Sequence, residues 1–395
     1  MTLEPTPPRA WAMLAVGVLA QTAGTVFVSA PAFLIPLLHL QRGVPLAQAG
    51  LLAAAPTVGL VITLIAWGAL ADRIGERWVI AGGLALTALA AVGTVLVSGY
   101  VWLGLFFLLG GMAAASTNAA SGRVVMGWFP KHRRGLAMGI RQMAQPLGVT
   151  VAAVTVPTLA DSSGITAALA VPLVLTAVIA VVCAVVIVNP PRVARATDAA
   201  APANPYRTSG FLWRVHAVSA LLVLPQYLLV TFGLVWLVSE LGWEPLAAGI
   251  LVGVSQFIGA LGRIGIGVLS DRVGSRLRPL RWVSIAAAVV MLLLAAVDAT
   301  HFAAAGIVFV IATSVTVADN GLAFTSVAEM AGPAWAGRAL GTQNTAQFVA
   351  AAIAPPLFGT LIGLIGYPLT FVVAALAPVI ALPVIPAVDA ERDHH

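Results

Sequence analysis

Gly267-Val-Leu-Ser-Asp271-Arg272-Val-Gly274-Ser-Arg276 repeats, 199 positions later, an earlier stretch of the same chain, Gly68-Ala-Leu-Ala-Asp72-Arg73-Ile-Gly75-Glu-Arg77. That separation is half of the 395 residues. Each copy is a charged hinge that closes one long apolar segment and opens another. Charged hinges at matching places in two apolar halves point to a duplicated bundle of membrane helices. Two further matches carry an offset of 202. Gly139-Ile-Arg141-Gln142-Met-Ala144-Gln145 aligns with Gly341-Thr-Gln343-Asn344-Thr-Ala346-Gln347, and Asn118 aligns with Asn320.

Composition agrees with a membrane chain. Hydrophobic residues make up 60% and charged residues only 9%, with a mean hydropathy of +1.01. A soluble domain carries about a quarter charged residues. The apolar runs predict twelve spans, at 10–38, 46–70, 78–97, 101–128, 135–159, 165–188, 211–238, 246–270, 280–297, 302–327, 337–364 and 368–385. Their length calls for helices, since membrane strands are about half as long and alternate in polarity. The expected fold class is an all-α membrane protein of twelve transmembrane helices in two six-helix bundles. Domains are expected at 1–189 and 211–395, joined by a polar, Pro- and Ala-rich linker at 190–210. The run from Ala10 to Leu38 is too long for a cleavable signal.

The net charge of +6 sits in the turns between spans, where basic residues set orientation, and no basic patch interleaved with aromatics exists. No nucleic-acid partner is expected. With the N-terminus inside, sixteen Arg or Lys fall on the inner side and only Arg42 on the outer side, where Asp161, Glu240, Glu244 and Asp298 lie. Both termini are therefore expected in the cytoplasm, in a multi-pass protein of the cell membrane. Trp11, Trp67, Trp236 and Trp243 are read as interfacial anchors. Cys183 is the sole cysteine, so neither an internal disulfide nor a cysteine-cluster metal site is possible, and it reads as a small core residue.

Twelve spans, a mid-chain cytoplasmic linker and the paired Gly-x-Leu-x-Asp-Arg-x-Gly-x-Arg hinges resemble the major facilitator superfamily. That resemblance implies two bundles around a central cavity that opens alternately to each side, and a gating role for the hinge residues. Physically, Gly68 and Gly267 would let a neighbouring helix approach, and Gly75 and Gly274 would permit the tight turn. Asp72 and Asp271 would meet a helix N-terminus or an arginine. Arg73, Arg77, Arg272 and Arg276 also fix topology.

Ionisable residues inside spans are expensive and so are functional candidates. Arg123, Arg141, Arg263 and Asp319 qualify. Three arginines against one acid leave a positive excess that suits an anionic substrate. Gly262-Arg263-Ile-Gly-Ile-Gly267-Val-Leu-Ser270-Asp271 resembles the eighth helix of monocarboxylate transporters and oxalate/formate-type antiporters, whose arginine binds the substrate carboxylate. The competing reading is a structural arginine near the gate. Trp128-Phe129-Pro-Lys131-His-Arg133-Arg134-Gly-Leu136-Ala137-Met-Gly139 resembles the loop after the fourth helix of the same families. Arg123 resembles the binding arginine of sugar-acid and anion/cation symporters, although Arg123 and Arg141 lie near enough to the cytoplasmic ends to snorkel. Asp319 reads as a proton-coupling site or as the permanent ion-pair partner of an arginine. Gln226, Tyr227, Gln256, Asn344 and Gln347 either line the cavity or bond helix to helix. The chain also departs from those families. Gly259 stands where proton-linked carriers have an acid, their first-helix lysine is absent, and Gln343 and Gln347 stand in place of an oxalate-carrier lysine.

The resulting expectation is a monomeric secondary transporter, not an enzyme, that moves a small organic anion of monocarboxylate type with protons. It would need no cofactor and no metal. The alternative is a proton-driven exporter of apolar or cationic compounds. Asp72→Ala is expected to lose turnover in a flux assay while substrate still binds; a normal transport rate in that variant would remove the gate role.

Overall fold

The computed structural model describes residues 8–97, 99–129, 137, 140–189, 204–300 and 304–388. Among them the regular elements are helices: α1 (Pro8–Phe33), α2 (Ile35–Leu40), α3 (Leu46–Ile74), α4 (Glu76–Leu96), α5 (Tyr100–Trp128), α6 (Ala144–Val186), α7 (Pro205–Thr208), α8 (Phe211–Ser239), α9 (Pro245–Val273), α10 (Leu277–Ala299), α11 (Ala305–Thr316) and α12 (Asp319–Val384). Ten segments of the described chain are long and apolar enough to cross a bilayer. Two of these, Ile140–Val186 and Arg338–Val384, run for 47 residues, about twice what a bilayer requires. Each contains a glycine of positive φ, Gly164 (84°) or Gly366 (76°), where the chain leaves right-handed helical geometry.

The repeat read from the hinges recurs in the backbone. All six positive-φ glycines of the described chain fall into pairs. Gly43 with Gly242 and Gly75 with Gly274 are 199 apart, and Gly164 with Gly366 is 202 apart. A left-handed residue needs the missing Cβ, so the turns themselves were copied. Helices α3 and α9 are each 29 residues long and begin at Leu46 and Pro245, again 199 apart.

The chain forms two compact units. The first gathers Met1–Arg42, Leu51–Ala196 and Pro245–Gly253; the second gathers Gly43–Gly50, Thr197–Glu244 and Val254–His395. Each unit includes one short piece from the other half of the chain, 245–253 in the first and 43–50 in the second. Matched glycines account for them. Within the first unit a Cβ on Gly249 would run into the Ala153 carbonyl, and within the second a Cβ on Gly50 would run into the Pro355 carbonyl. The first unit is filled by Met13, Val79, Ile80, Leu84, Val124 and Ile187 around the fully buried Cys183. Ile65, Leu96, Val101 and Leu364 are left about three-quarters exposed, which costs little against lipid tails as apolar as leucine.

Three expectations are corrected. Among the described residues nothing on a neighbouring helix lies within 4 Å of a Cβ built on Gly68 or Gly267, so no close helix approach is seen at either glycine. Those approaches occur further up the same helices, where Gly59 of α3 meets the Leu108 carbonyl and Gly259 of α9 meets Val317. Trp236 is not an interfacial anchor: it is 0% exposed, between the rings of Phe309 and Phe371, and its Nε1 donates to Asp298 at 2.9 Å. Asp298 is therefore not an outer-turn charge but a residue of α10, only 5% exposed. The indole satisfies the acid, and together they bury what sequence position alone put at the surface. Gly59→Ala is expected to destabilise the protein by about 1–3 kcal/mol through overpacking against the Leu108 carbonyl, and Gly68→Ala by less than about 0.5 kcal/mol, measured by unfolding in detergent.

Candidate functional site

The second unit contains a helix interrupted in its apolar middle. Helix α11 ends at Thr316 and α12 begins at Asp319, leaving Val317 and Ala318 as a turn inside the apolar segment Ala305–Ala331. In hydrocarbon a backbone carbonyl released by such a break must find a donor within the protein. The Val317 carbonyl accepts from Arg263 Nε at 3.1 Å and from Asn320 Nδ2 at 3.3 Å. Helix α9 brings Arg263 there because Gly259, one turn earlier, has no side chain: a Cβ would stand 2.9 Å from Val317 Cγ2. A larger side chain at this position would crowd Val317.

Only Nε of Arg263 bonds the protein, so its two terminal nitrogens are open among the described residues. Asp319 lies in the first turn of α12, 1% exposed, and neither carboxyl oxygen has a hydrogen-bond partner. The two residues feel each other's field without forming an ion pair. A permanent salt bridge between them is thus not what the structure holds. Around them Asn320 Nδ2 donates to Gln226 Oε1 (3.2 Å), and Gln347 Nε2 donates to Asn320 Oδ1 (2.7 Å) and Ser219 Oγ (2.6 Å). Gln256 is buried with its Nε2 unpartnered. Tyr227 and Asn344 are half-buried, and Tyr227 is within electrostatic reach of Arg263.

The first unit has its own polar core. Arg141 Nη1 donates to Gln21 Oε1 (3.1 Å) and Ser121 Oγ (3.2 Å), and Gln21 Nε2 donates to Asn118 Oδ1 (3.1 Å). Arg141 therefore turns inward to a buried network instead of snorkelling outward. The Gln21–Asn118 bond matches Gln226–Asn320 of the second unit, so the repeat extends to a specific side-chain pair. The side chains of Arg123, Asp72 and Asp271 lie outside the described residues. Of the other hinge residues, Arg73 and Arg272 are exposed. Arg77 donates through Nε to the Ala184 carbonyl at 2.8 Å, and its backbone N–H to Asn189 Oδ1 at 2.9 Å. Arg276 pairs with Glu329 at 3.1 Å and donates to Ser270 Oγ at 3.0 Å.

The Major Facilitator Superfamily model matches residues 14–355. The chain belongs to the major facilitator superfamily. It is 49% identical over 389 residues to the protein named Uncharacterized MFS-type transporter Rv2994 of Mycobacterium tuberculosis strain H37Rv, across 98% of this chain and 87% of that one. The protein named Uncharacterized MFS-type transporter MT3072, from strain CDC 1551 of the same species, is 48% identical over the same shares. Among solved structures the fold is similar to a bacterial homolog of the human lysosomal transporter Spinster. The TM-score is 0.80 to its inward-facing, occupied conformation and 0.78 to its inward-facing, unoccupied one, at 16% and 15% identity, over 96% of this chain and 97% of the other. At that identity the likeness is one of fold.

For this major facilitator chain, sequence reasoning passed over Gln21, Ser121 and Ser219, polar residues of apolar spans, and Gln21 matches Gln226 only at an offset of 205. His216, in the second turn of α8, is buried and bridges Tyr206 Oη (3.0 Å) and Gln343 Oε1. Double-mutant cycles on Gln21/Asn118 and Gln226/Asn320, read by unfolding, are expected to give a favourable coupling of about 0.6 kcal/mol, and no more than about 1.7, in both units.

Proposed function

We propose that this major facilitator protein is a secondary transporter of a small organic anion of monocarboxylate type, coupled to protons and working by alternating access. The observation that carries the reading is the pairing of an open guanidinium, Arg263, with an unpartnered buried acid, Asp319, on the two sides of one helix break. A carboxylate buried without a donor is held at far lower cost when it is protonated. With Asp319 neutral, the terminal nitrogens of Arg263 receive a substrate carboxylate in bidentate fashion. When Asp319 loses its proton, the new carboxylate competes for the same guanidinium and releases the substrate. Proton and anion therefore move in the same direction.

Arg141, which donates to Gln21 and Ser121, is a second candidate anion contact, and Arg123 a third. Tyr227, Gln256, Asn344 and Gln347 supply polar contacts around the Arg263 site. The ten apolar segments become twelve spans when Gly164 and Gly366 are counted as turns, six to each half. An even number returns both termini to one face, and the basic inner turns make that face cytoplasmic in the cell membrane. The hinge residues Asp72, Arg73, Asp271 and Arg272 serve as the gate between inward- and outward-open states. The similar Spinster-homolog structures, both inward-facing, support such a cycle.

Proteoliposomes offered a panel of radiolabelled carboxylic acids test this reading. Saturable uptake stimulated by an acidic exterior is expected, weakened at least tenfold in Arg263→Ala, the loss of a charge-assisted hydrogen bond. Asp319→Asn is expected to keep carboxylate exchange but lose stimulation by the pH gradient. Export of cationic dyes without any carboxylate uptake would overturn the assignment in favour of proton antiport.

A further inference from the structure

Helices α3, α4 and α5 of the first unit touch at bare glycines and part elsewhere. A Cβ on Gly59 would run into the Leu108 carbonyl, one on Gly111 into the Pro56 carbonyl, and one on Gly83 into Ser116. One turn past Gly59 the helices separate and leave a cavity of about 550 Å³, walled by Trp67 and Leu70 of α3, Leu86 and Leu89 of α4 and Leu109 of α5.

The hydrogen-bond donors of Thr63 and Trp67 in this wall are already used. Thr63 Oγ1 and Trp67 Nε1 both donate to the Met112 carbonyl at 2.6 Å. Water needs two to four polar partners to stay in such a cavity, and a charged or polar ligand needs more. Neither finds them here. Leu86, Leu89 and Leu109, 50%, 66% and 43% exposed, form an open leucine rim on this apolar surface. They lie mid-way along α4 (Glu76–Leu96) and α5 (Tyr100–Trp128), far from either end. In a bilayer that depth holds hydrocarbon, not head groups. The cleft continues the lipid-facing surface inward.

From this we infer that the α3–α4–α5 cleft is a binding site for one acyl chain of a bilayer phospholipid. The chain lies against the Trp67 ring and fills the gap that the glycine contacts open. Trp67 precedes the Asp72 hinge on the same helix, so an inserted chain also braces the segment leading to that hinge. This inference is independent of which solute is carried.

The test uses the full chain in vesicles whose phosphatidylcholine carries bromine at mid-chain, in increasing proportion. The emission of Trp67 is isolated by subtracting that of Trp67→Phe. A bound chain predicts quenching of Trp67 that saturates at a low mole fraction of brominated lipid, before the other tryptophans respond. Ala66→Leu and Ala90→Leu, each of which lines the cleft and fills it, are expected to at least halve that quenching while the thermal unfolding midpoint stays in place for one or both. Quenching of Trp67 that is absent, that rises in simple proportion to bulk composition, or that persists in both filled variants would overturn the site. So would quenching by a brominated free fatty acid with none by the phospholipid.

Discussion

Hydrocarbon offers a carbonyl or an amide nothing to bond, so each polar atom in this chain must be satisfied from within. Serine and threonine hydroxyls turn back onto the preceding helical carbonyl, as Thr87 does on Gly83 and Thr176 on Pro172. The Met112 carbonyl takes two donors, and the broken-helix carbonyl of Val317 takes two more. Among the buried side-chain atoms left without a partner are the Asp319 oxygens and Gln256 Nε2, and the terminal nitrogens of Arg263 are open as well. These lie on α9 and α12.

The duplication was kept in the backbone and relaxed in the charges. Turn glycines, 29-residue helices and the Gln–Asn pair occur twice. Arg141, by contrast, aligns with Gln343, and Arg263 aligns with Leu64. The hinges diverge as well, since Arg77 ties to a backbone carbonyl whereas its counterpart Arg276 ties to the carboxylate of Glu329. The twofold frame thus carries unequal charges, with Arg263 and Asp319 in the second half and Arg141 in the first.

Much of this was legible from residue order. The paired hinges announced the repeat, and Asp319 was recognisable as an acid deep inside a span, where the structure buries it. The break beside it was not legible, because Thr313-Ser-Val-Thr-Val317-Ala-Asp319-Asn contains neither glycine nor proline. Donors from Arg263 and Asn320 support the turn, and those are tertiary contacts. The same limit hid the burial of Trp236, which needs a partner acid on another helix, and the open space at Gly68 and Gly267, where glycine looked like a packing residue. The 12-residue α11 shows the general point: local sequence favours an unbroken helix, and packing interrupts it.

Cys183 occupies the middle of a sealed cluster with no exposed surface, and no second thiol exists in the chain. Maleimides and thiosulfonates react with accessible thiolates, so the natural protein is silent to them. Cysteines introduced in pairs at exposed helix ends can therefore carry spin labels or fluorophores directly, with no cysteine-free background to engineer first, and the distances between them would report the opening and closing of each face in a working carrier.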